Sequence, residues 1–286
     1  MEPVDPRTGL PLYPFKNILP APIYWPYRAI RSLLVGLCFV CFWGGSVIMG
    51  WLMLPFLLLW PGTRAEKMHR VQRCVRGGFK LFHLTMRALW LYRPVSPFRT
   101  ARPSGAPADS AVVLVANHPS LCDVTSIGCL FPNVVAVARP SLANNPLLRW
   151  LVRSCGFIPV GMHMLKDAEE RLRMGFDVLI FPEGTRSPVE GSLQPFHRGA
   201  FELAARAKVP VVLLKLTCNP PALSKGLPIW KYPDRIAMLT IEPFDVIYPA
   251  TSELGSKALC RTIEQRYREL LGYSVTSEPR PLGGIE

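Results

Sequence analysis

The chain has 286 residues, of which 49% are hydrophobic and 19% charged, and its 33 Lys and Arg against 20 Asp and Glu give a formal net charge of +13. That length suits one large domain with an appendage, and a mean hydropathy of +0.21 is high for a soluble protein but modest for a multi-span membrane protein. The positive balance calls for an anionic partner, and the apolar N-terminal stretch favours a membrane surface over nucleic acid, for which no supporting motif is present. Eight scattered cysteines are a free-thiol pattern suited to a cytoplasmic catalytic domain. Cys38 and Cys41 share C-x-x-C spacing, but inside an uncharged apolar run that argues against a redox or metal role.

Residues 1–31 are rich in proline, including Pro20, Pro22 and Pro26, and read as extended or loosely ordered. Their aromatic residues, with Lys16, Arg28 and Arg31, suit a membrane interface. No residue from Ser32 to Trp60 is charged. As a straight helix this run would measure about 43 Å, against a hydrocarbon core of about 30 Å. Two readings stay open, a kinked span and a re-entrant element, with Gly44-Gly45 and Pro55 as places to bend. The late start and the length of the run argue against a signal peptide. Basic residues are denser after it, which puts that side, and the domain that follows, in the cytoplasm at the inner membrane. Residues 64–92 form an amphipathic helix with Met68, Val71, Val75, Phe79, Phe82, Met86 and Leu89 on one stripe. Together 32–92 read as a membrane-anchoring helical region, its basic helix lying on anionic lipid. Residues 93–109 follow as a proline-containing linker.

From residue 110 to 274 short apolar runs alternate with helical patterns. Strands are expected over 111–116, 134–138, 157–160, 177–181, 211–217 and 236–246, and helices over 145–155, 166–174, 199–208 and 252–271. This indicates an α/β sheet covered on both faces. Residues 275–286 are a tail.

The first strand ends in Asn117-His118-Pro119-Ser120, and a short helix follows, with Ser120 as a candidate N-cap and Asp123 in its first turn. A carboxylate there can hold one imidazole nitrogen of His118 while the other takes a proton. A histidine beside a turn is commonly only a satisfied polar group. A second motif changes the weighing: Phe181-Pro182-Glu183-Gly184-Thr185-Arg186-Ser187, just past another strand, where ligand sites of α/β sheets gather. Gly184 permits close backbone approach. Arg186 can grip a phosphate through two parallel hydrogen bonds, or pair with Glu190 at the surface. Cys122 stands beside His118, although a helix cysteine is more often packing, and a serine hydrolase lacks its G-x-S-x-G elbow.

His-x4-Asp followed by Phe-Pro-Glu-Gly-Thr-Arg-Ser, in this order and separation, resembles the glycerolipid acyltransferase family, the glycerol-3-phosphate and lysophosphatidate acyltransferases. The resemblance implies a glycerol-3-phosphate acyltransferase-like fold, a mixed sheet flanked by helices and preceded by the membrane-associated segment. It makes His118 the general base and Asp123 its partner, and Glu183, Gly184, Thr185 and Arg186 the acceptor's phosphate site. Arg139 stands where many members carry a Lys that contacts the acceptor. Gly161 stands where many carry an Arg that helps bind glycerol phosphate, so one phosphate ligand is missing.

The implied reaction moves a fatty acyl chain from acyl-ACP or acyl-CoA, as co-substrate, to the free hydroxyl of a lysophospholipid such as 1-acylglycerol-3-phosphate. It needs no covalent enzyme intermediate, since a thioester is already activated, and neither metal nor cofactor is expected. Backbone N–H groups near Gly184 are the candidate oxyanion donors. The alternatives are an acyltransferase for a non-phosphate lyso-lipid, such as a lyso-aminolipid, and a catalytically silent membrane-binding homologue.

Overall fold

The computed structural model describes residues 14–95, 110–188, 193–249 and 254–273. Most of the segment read as a linker, the tail beyond 273 and Glu190 lie outside the described residues.

A long helix, α1 (Ala21–Ile48), opens the described chain and runs through a π-helical turn (Met49–Met53) into α2 (Leu54–Leu59). It thus starts inside the stretch expected to be extended. Pro22 falls in the first turn, where its missing N–H costs nothing. Tertiary contacts outweigh the second proline, Pro26: Tyr27 donates to the Asp234 carbonyl at 2.6 Å, and Arg31, 7% exposed, donates to the carbonyls of Trp90, Pro233 and Arg235. The distortion falls just before Pro55 rather than at Gly44-Gly45, because proline lacks the N–H and crowds the carbonyl four residues back.

After a tight turn, α3 (Arg64–Ala88) runs back along α1. Thr63 and Glu66 form a reciprocal capping box at its start, and Arg70 donates to the carbonyls of Trp60 and Pro61. Phe39 and Phe42 of α1 meet Phe82 of α3.

Seven strands follow: β1 (Tyr92–Val95), β2 (Val113–Ala116), β3 (Val134–Ala138), β4 (Ile158–Pro159), β5 (Asp177–Ile180), β6 (Val211–Asn219) and β7 (Ala237–Ile247), in the sheet order β1-β7-β6-β2-β5-β3-β4. β6, β2, β5, β3 and β4 are mutually parallel, and β7 runs antiparallel to β6 with β1 parallel to it. The sheet is therefore mixed. β1 lies partly in the expected linker; as an edge strand it tolerates Pro94.

Strand alternation divides the core. Leu114, Ala116 and Leu214 face one cluster with α1, α3 and α4 (Asp123–Leu130). Val113, Val115 and Leu213 face the other with α7 (Met164–Arg173), α8 (Gly199–Ala207) and α9 (Ser256–Leu271). Of the helix expected over 145–155 only α6 (Arg149–Ser154) forms, and a separate short helix, α5 (Pro140–Ala143), precedes it. Between them the Asn145 side chain accepts the Leu147 N–H at 2.9 Å, a local turn that delays the second helix.

The long helix touches the rest of the protein from end to end. Its start is tied to 233–235, Cys38 joins the core beside Cys122, and Trp51 stacks on Trp150 of α6 and donates to the Leu147 carbonyl. The window over Ala21–Leu59 is long and apolar enough to cross a membrane. All seven tryptophans of the chain are between 41% and 72% exposed, whereas tryptophan in soluble proteins is highly buried on average.

Candidate active site

β2, β5, β3 and β6 are neighbouring parallel strands, so their C-terminal ends open on one edge of the sheet. His118 follows β2, Phe181 to Ser187 follow β5, and Arg139 follows β3. The two motifs, some 65 residues apart, meet there.

His118 Nδ1 lies 2.8 Å from Asp123 Oδ2, and the same oxygen accepts the Ser120 N–H at 2.9 Å. Asp123 is wholly buried. Burial raises its carboxyl pKa, against the opposing pull of His118 and the Ser120 N–H. With Asp123 accepting from Nδ1–H, Nε2 presents its lone pair and has no hydrogen-bond partner among the described residues. The ring stacks on Phe181 at 4.1 Å. Ser120 does not cap α4; its hydroxyl donates to the Ala222 carbonyl, and the helix begins at Asp123.

Asn117 is structural. Its side-chain amide exchanges two 2.8 Å hydrogen bonds with the backbone of Leu216, fastening the end of β2 to β6. Cys122 is packed in the core, and burial raises its thiol pKa well above the ordinary value, which disfavours a nucleophile.

In the second motif Gly184 has φ +65° and a Cβ there would sit 3.5 Å from the His197 ring. The turn therefore favours glycine. The Gly184 N–H bonds the Phe181 carbonyl, so that amide is already spent and is no free oxyanion donor. Glu183 is 4% exposed and turned inward. It accepts from the His118 N–H, the Ser187 hydroxyl and the Gln194 N–H. It stands behind the site rather than in the opening.

Thr185, Arg186 and Arg139, by contrast, follow the ends of β5 and β3 and are exposed or half-buried. Arg139 donates to Thr185 Oγ1 at 3.0 Å, and Arg186 to the Leu223 carbonyl at 2.7 Å. Burial and the nearby Arg139 charge push the Arg186 guanidinium down from its ordinary value. Among the described residues neither has a carboxylate within salt-bridge reach. Two mutually repelling cations without a carboxylate between them are an arrangement that a bound anion would stabilise. Gly161 is exposed with open space around it, so nothing fills the place of the missing Arg.

A third wall went unnoticed in the sequence. The loop after β6 bonds the first motif through the Ala222 and Leu223 carbonyls and through Ser224, whose hydroxyl donates to the Pro119 carbonyl at 2.7 Å. It carries no charged motif, and its prolines, Pro220, Pro221 and Pro228, signal a loop and nothing more. Among the described residues no three His, Cys, Asp or Glu come together as a metal site.

A histidine held by a buried carboxylate and a pair of guanidiniums thus follow the strand ends of one mixed α/β sheet. The acyltransferase family model matches residues 98–214. The chain is 29% identical over 206 residues to the chloroplastic 1-acyl-sn-glycerol-3-phosphate acyltransferase BAT2 of Brassica napus, covering 67% of this chain and 55% of that one. It is 32% identical over 115 residues to the 1-acyl-sn-glycerol-3-phosphate acyltransferase of Saccharomyces cerevisiae, covering 37% and 38%. The crystal structure of the 1-acyl-sn-glycerophosphate acyltransferase PlsC from Thermotoga maritima shares the fold, with a TM-score of 0.65, 22% identity and coverage of 86% and 96%. The chain spans about half the length of the first curated relatives it matches. Over the matched residues the chain is similar to the glycerolipid acyltransferases in sequence, and over most of its length to one of them in fold.

Proposed function

We propose that the chain is a membrane-bound O-acyltransferase that moves a fatty acyl chain from acyl-ACP or acyl-CoA to the free hydroxyl of 1-acylglycerol-3-phosphate. The observation that carries this reading is His118 held at 2.8 Å by buried Asp123, with Arg139 and Arg186 following neighbouring strands of the same sheet. Nε2 takes the hydroxyl proton as that oxygen bonds to the thioester carbonyl carbon. Asp123 stabilises the resulting imidazolium. The C–S bond breaks, and the departing thiolate takes the proton back from the imidazolium. Arg139 and Arg186 hold the acceptor's phosphate, which fixes the distance from phosphate to attacking hydroxyl. Glu183 and Gly184 shape the loop that places Arg186.

The membrane arrangement we favour is the re-entrant one. A helix docked on the domain at its start, middle and end cannot also stand across a bilayer without leaving those contacts. Lying in the interface, it presents Leu33, Leu37, Val40 and Phe56 to lipid, and the exposed tryptophans sit at the headgroup level. The basic α3 side of the hairpin faces the cytoplasm.

Transfer from acyl-CoA to 1-acylglycerol-3-phosphate, assayed with the full chain in vesicles, tests the reading. His118→Ala should lose about 10²–10⁴ in rate and keep its vesicle binding; retained transfer removes His118 from the chemistry. Arg186→Ala should raise the KM for the phosphorylated acceptor about tenfold to a hundredfold, the worth of a charged hydrogen bond. Gly161 favours testing a second acceptor in parallel. If a lyso-aminolipid is acylated faster than the phosphorylated acceptor, and with indifference to Arg186→Ala, the acceptor is the neutral lipid.

A further inference from the structure

We propose that the cleft at the turn of the helix hairpin binds the phosphate of an anionic bilayer phospholipid, as an anchoring site separate from the acceptor site. This rests on the in-plane membrane reading given above. The cleft measures roughly 400 Å³, and its lining includes Leu58 and Met68 on the apolar side and Arg64, Lys67 and Arg153 on the basic side. Arg64 pairs with Glu170, while Lys67 and Arg153 have no carboxylate within salt-bridge reach among the described residues. Glu66, close by on α3, is spent on the Thr63 N–H. The cleft is thus left with uncompensated positive charge.

The turn is built to hold this shape. Gly62 has φ +143°, and a Cβ there would come within 2.7 Å of the Glu66 carboxylate. Arg70 clamps the last carbonyls of the hairpin turn. Leu59 and Trp60, beside the cleft in sequence, are 80% and 68% exposed, so acyl chains can run along them while the phosphate meets Lys67 and Arg153.

The acceptor site is elsewhere. Gln72, one turn along α3 from Met68, bonds the carbonyls of Val134 and Cys155, at the start of β3 and just before β4. Arg139 follows the last residue of β3, so the two sites lie at opposite ends of that strand, about 16 Å apart along it. A lipid held in the cleft would fix the hairpin against the bilayer while the catalytic edge stays open.

The test is flotation of the full chain with phosphatidylcholine vesicles, with and without phosphatidylglycerol. Neutral vesicles read the apolar face and the anionic increment reads the cleft, so the two readings fail separately. Each basic residue near an anionic surface contributes about a factor of five. The Lys67→Gln/Arg153→Gln double variant should therefore lose about 25-fold of the anionic increment and bind neutral vesicles as wild type does. Lys67→Glu/Arg153→Glu should lose more, with an unchanged circular dichroism spectrum. Lys257→Gln/Arg261→Gln, exposed on α9 and not among the residues lining the cleft, should lose almost nothing. Equal losses from the two Gln pairs would reduce the effect to diffuse charge and overturn the site. Displacement of wild type by soluble glycerol phosphate would make it a soluble-anion site instead. An intact anionic increment with lost capture of acyl-carrier protein would make it a protein-docking site, and either result overturns the proposal.

Discussion

The buried carboxylate of Glu183 accepts the backbone N–H of His118 at 3.0 Å, so the second motif holds the first from inside the protein. Ser187 completes the clasp: its hydroxyl donates to the same oxygen at 2.7 Å, and its N–H donates to the His118 carbonyl at 2.7 Å. The backbone of the proposed base is therefore fixed on both sides of its Cα by residues of the other loop.

That clasp predicts a loss of positioning rather than of binding. Ser187→Ala should cost about 1 kcal/mol in urea unfolding, and Glu183→Gln about 1–3 kcal/mol, since its amide cannot accept from every donor now facing it. Both should lower kcat more than they raise the acceptor's KM. A Glu183→Gln enzyme with altered KM alone would instead put that carboxylate in contact with substrate.

Asp123 gives the pH dependence. Its folded pKa is raised above the ordinary 3.8, chiefly by burial. A raised carboxyl stabilises the fold below the unfolded pKa, and that contribution is lost as pH rises through the folded value. Measured from below pH 4 upward, the unfolding free energy of Asp123→Asn relative to wild type should therefore become steadily more favourable. A flat difference across that range would mean the carboxylate ionises as easily folded as unfolded.

Arg31 predicts how firmly the long helix is docked. Removing its side chain leaves the carbonyls of Trp90, Pro233 and Arg235 without their buried donor and removes its packing over the Tyr27 and Tyr232 rings. Arg31→Ala should destabilise by about 2–4 kcal/mol, more than one ordinary hydrogen bond. It should also expose the segment before Ser32 to limited proteolysis. Unchanged protection would show that the tyrosines hold the helix alone.

Gly128 of α4 sits against the Phe79 ring, and a Cβ there would come within 2.8 Å of it. Gly128→Val forces α3 and α4 apart at this contact, with an overpacking cost of about 1–3 kcal/mol. Phe79→Ala in the same chain should relieve part of that cost. The comparison of the two thermal melts checks it.

Local chemistry was enough to read much of this molecule in its sequence. Runs such as 134–138 and 177–180 are strands because they are short, apolar and rich in β-branched residues, a pattern that needs no knowledge of neighbours. His118 and Asp123 were legible as a pair because five residues of strand end and helix start bring them together. The helix at 21–31 and the edge strand at 92–95 were not, because proline-rich segments carry no period of their own and are decided by distant partners: Asp234 for the helix, Ala237 to Thr240 for the strand. Glu183 read as a ligand from its motif, yet its inward turn depends on His118 and Gln194, which approach it only in the folded sheet. Residue type and spacing thus determined which groups can do chemistry here. Which of them stay exposed and which turn inward to brace the loops was decided by long-range hydrogen bonds that no local pattern encodes.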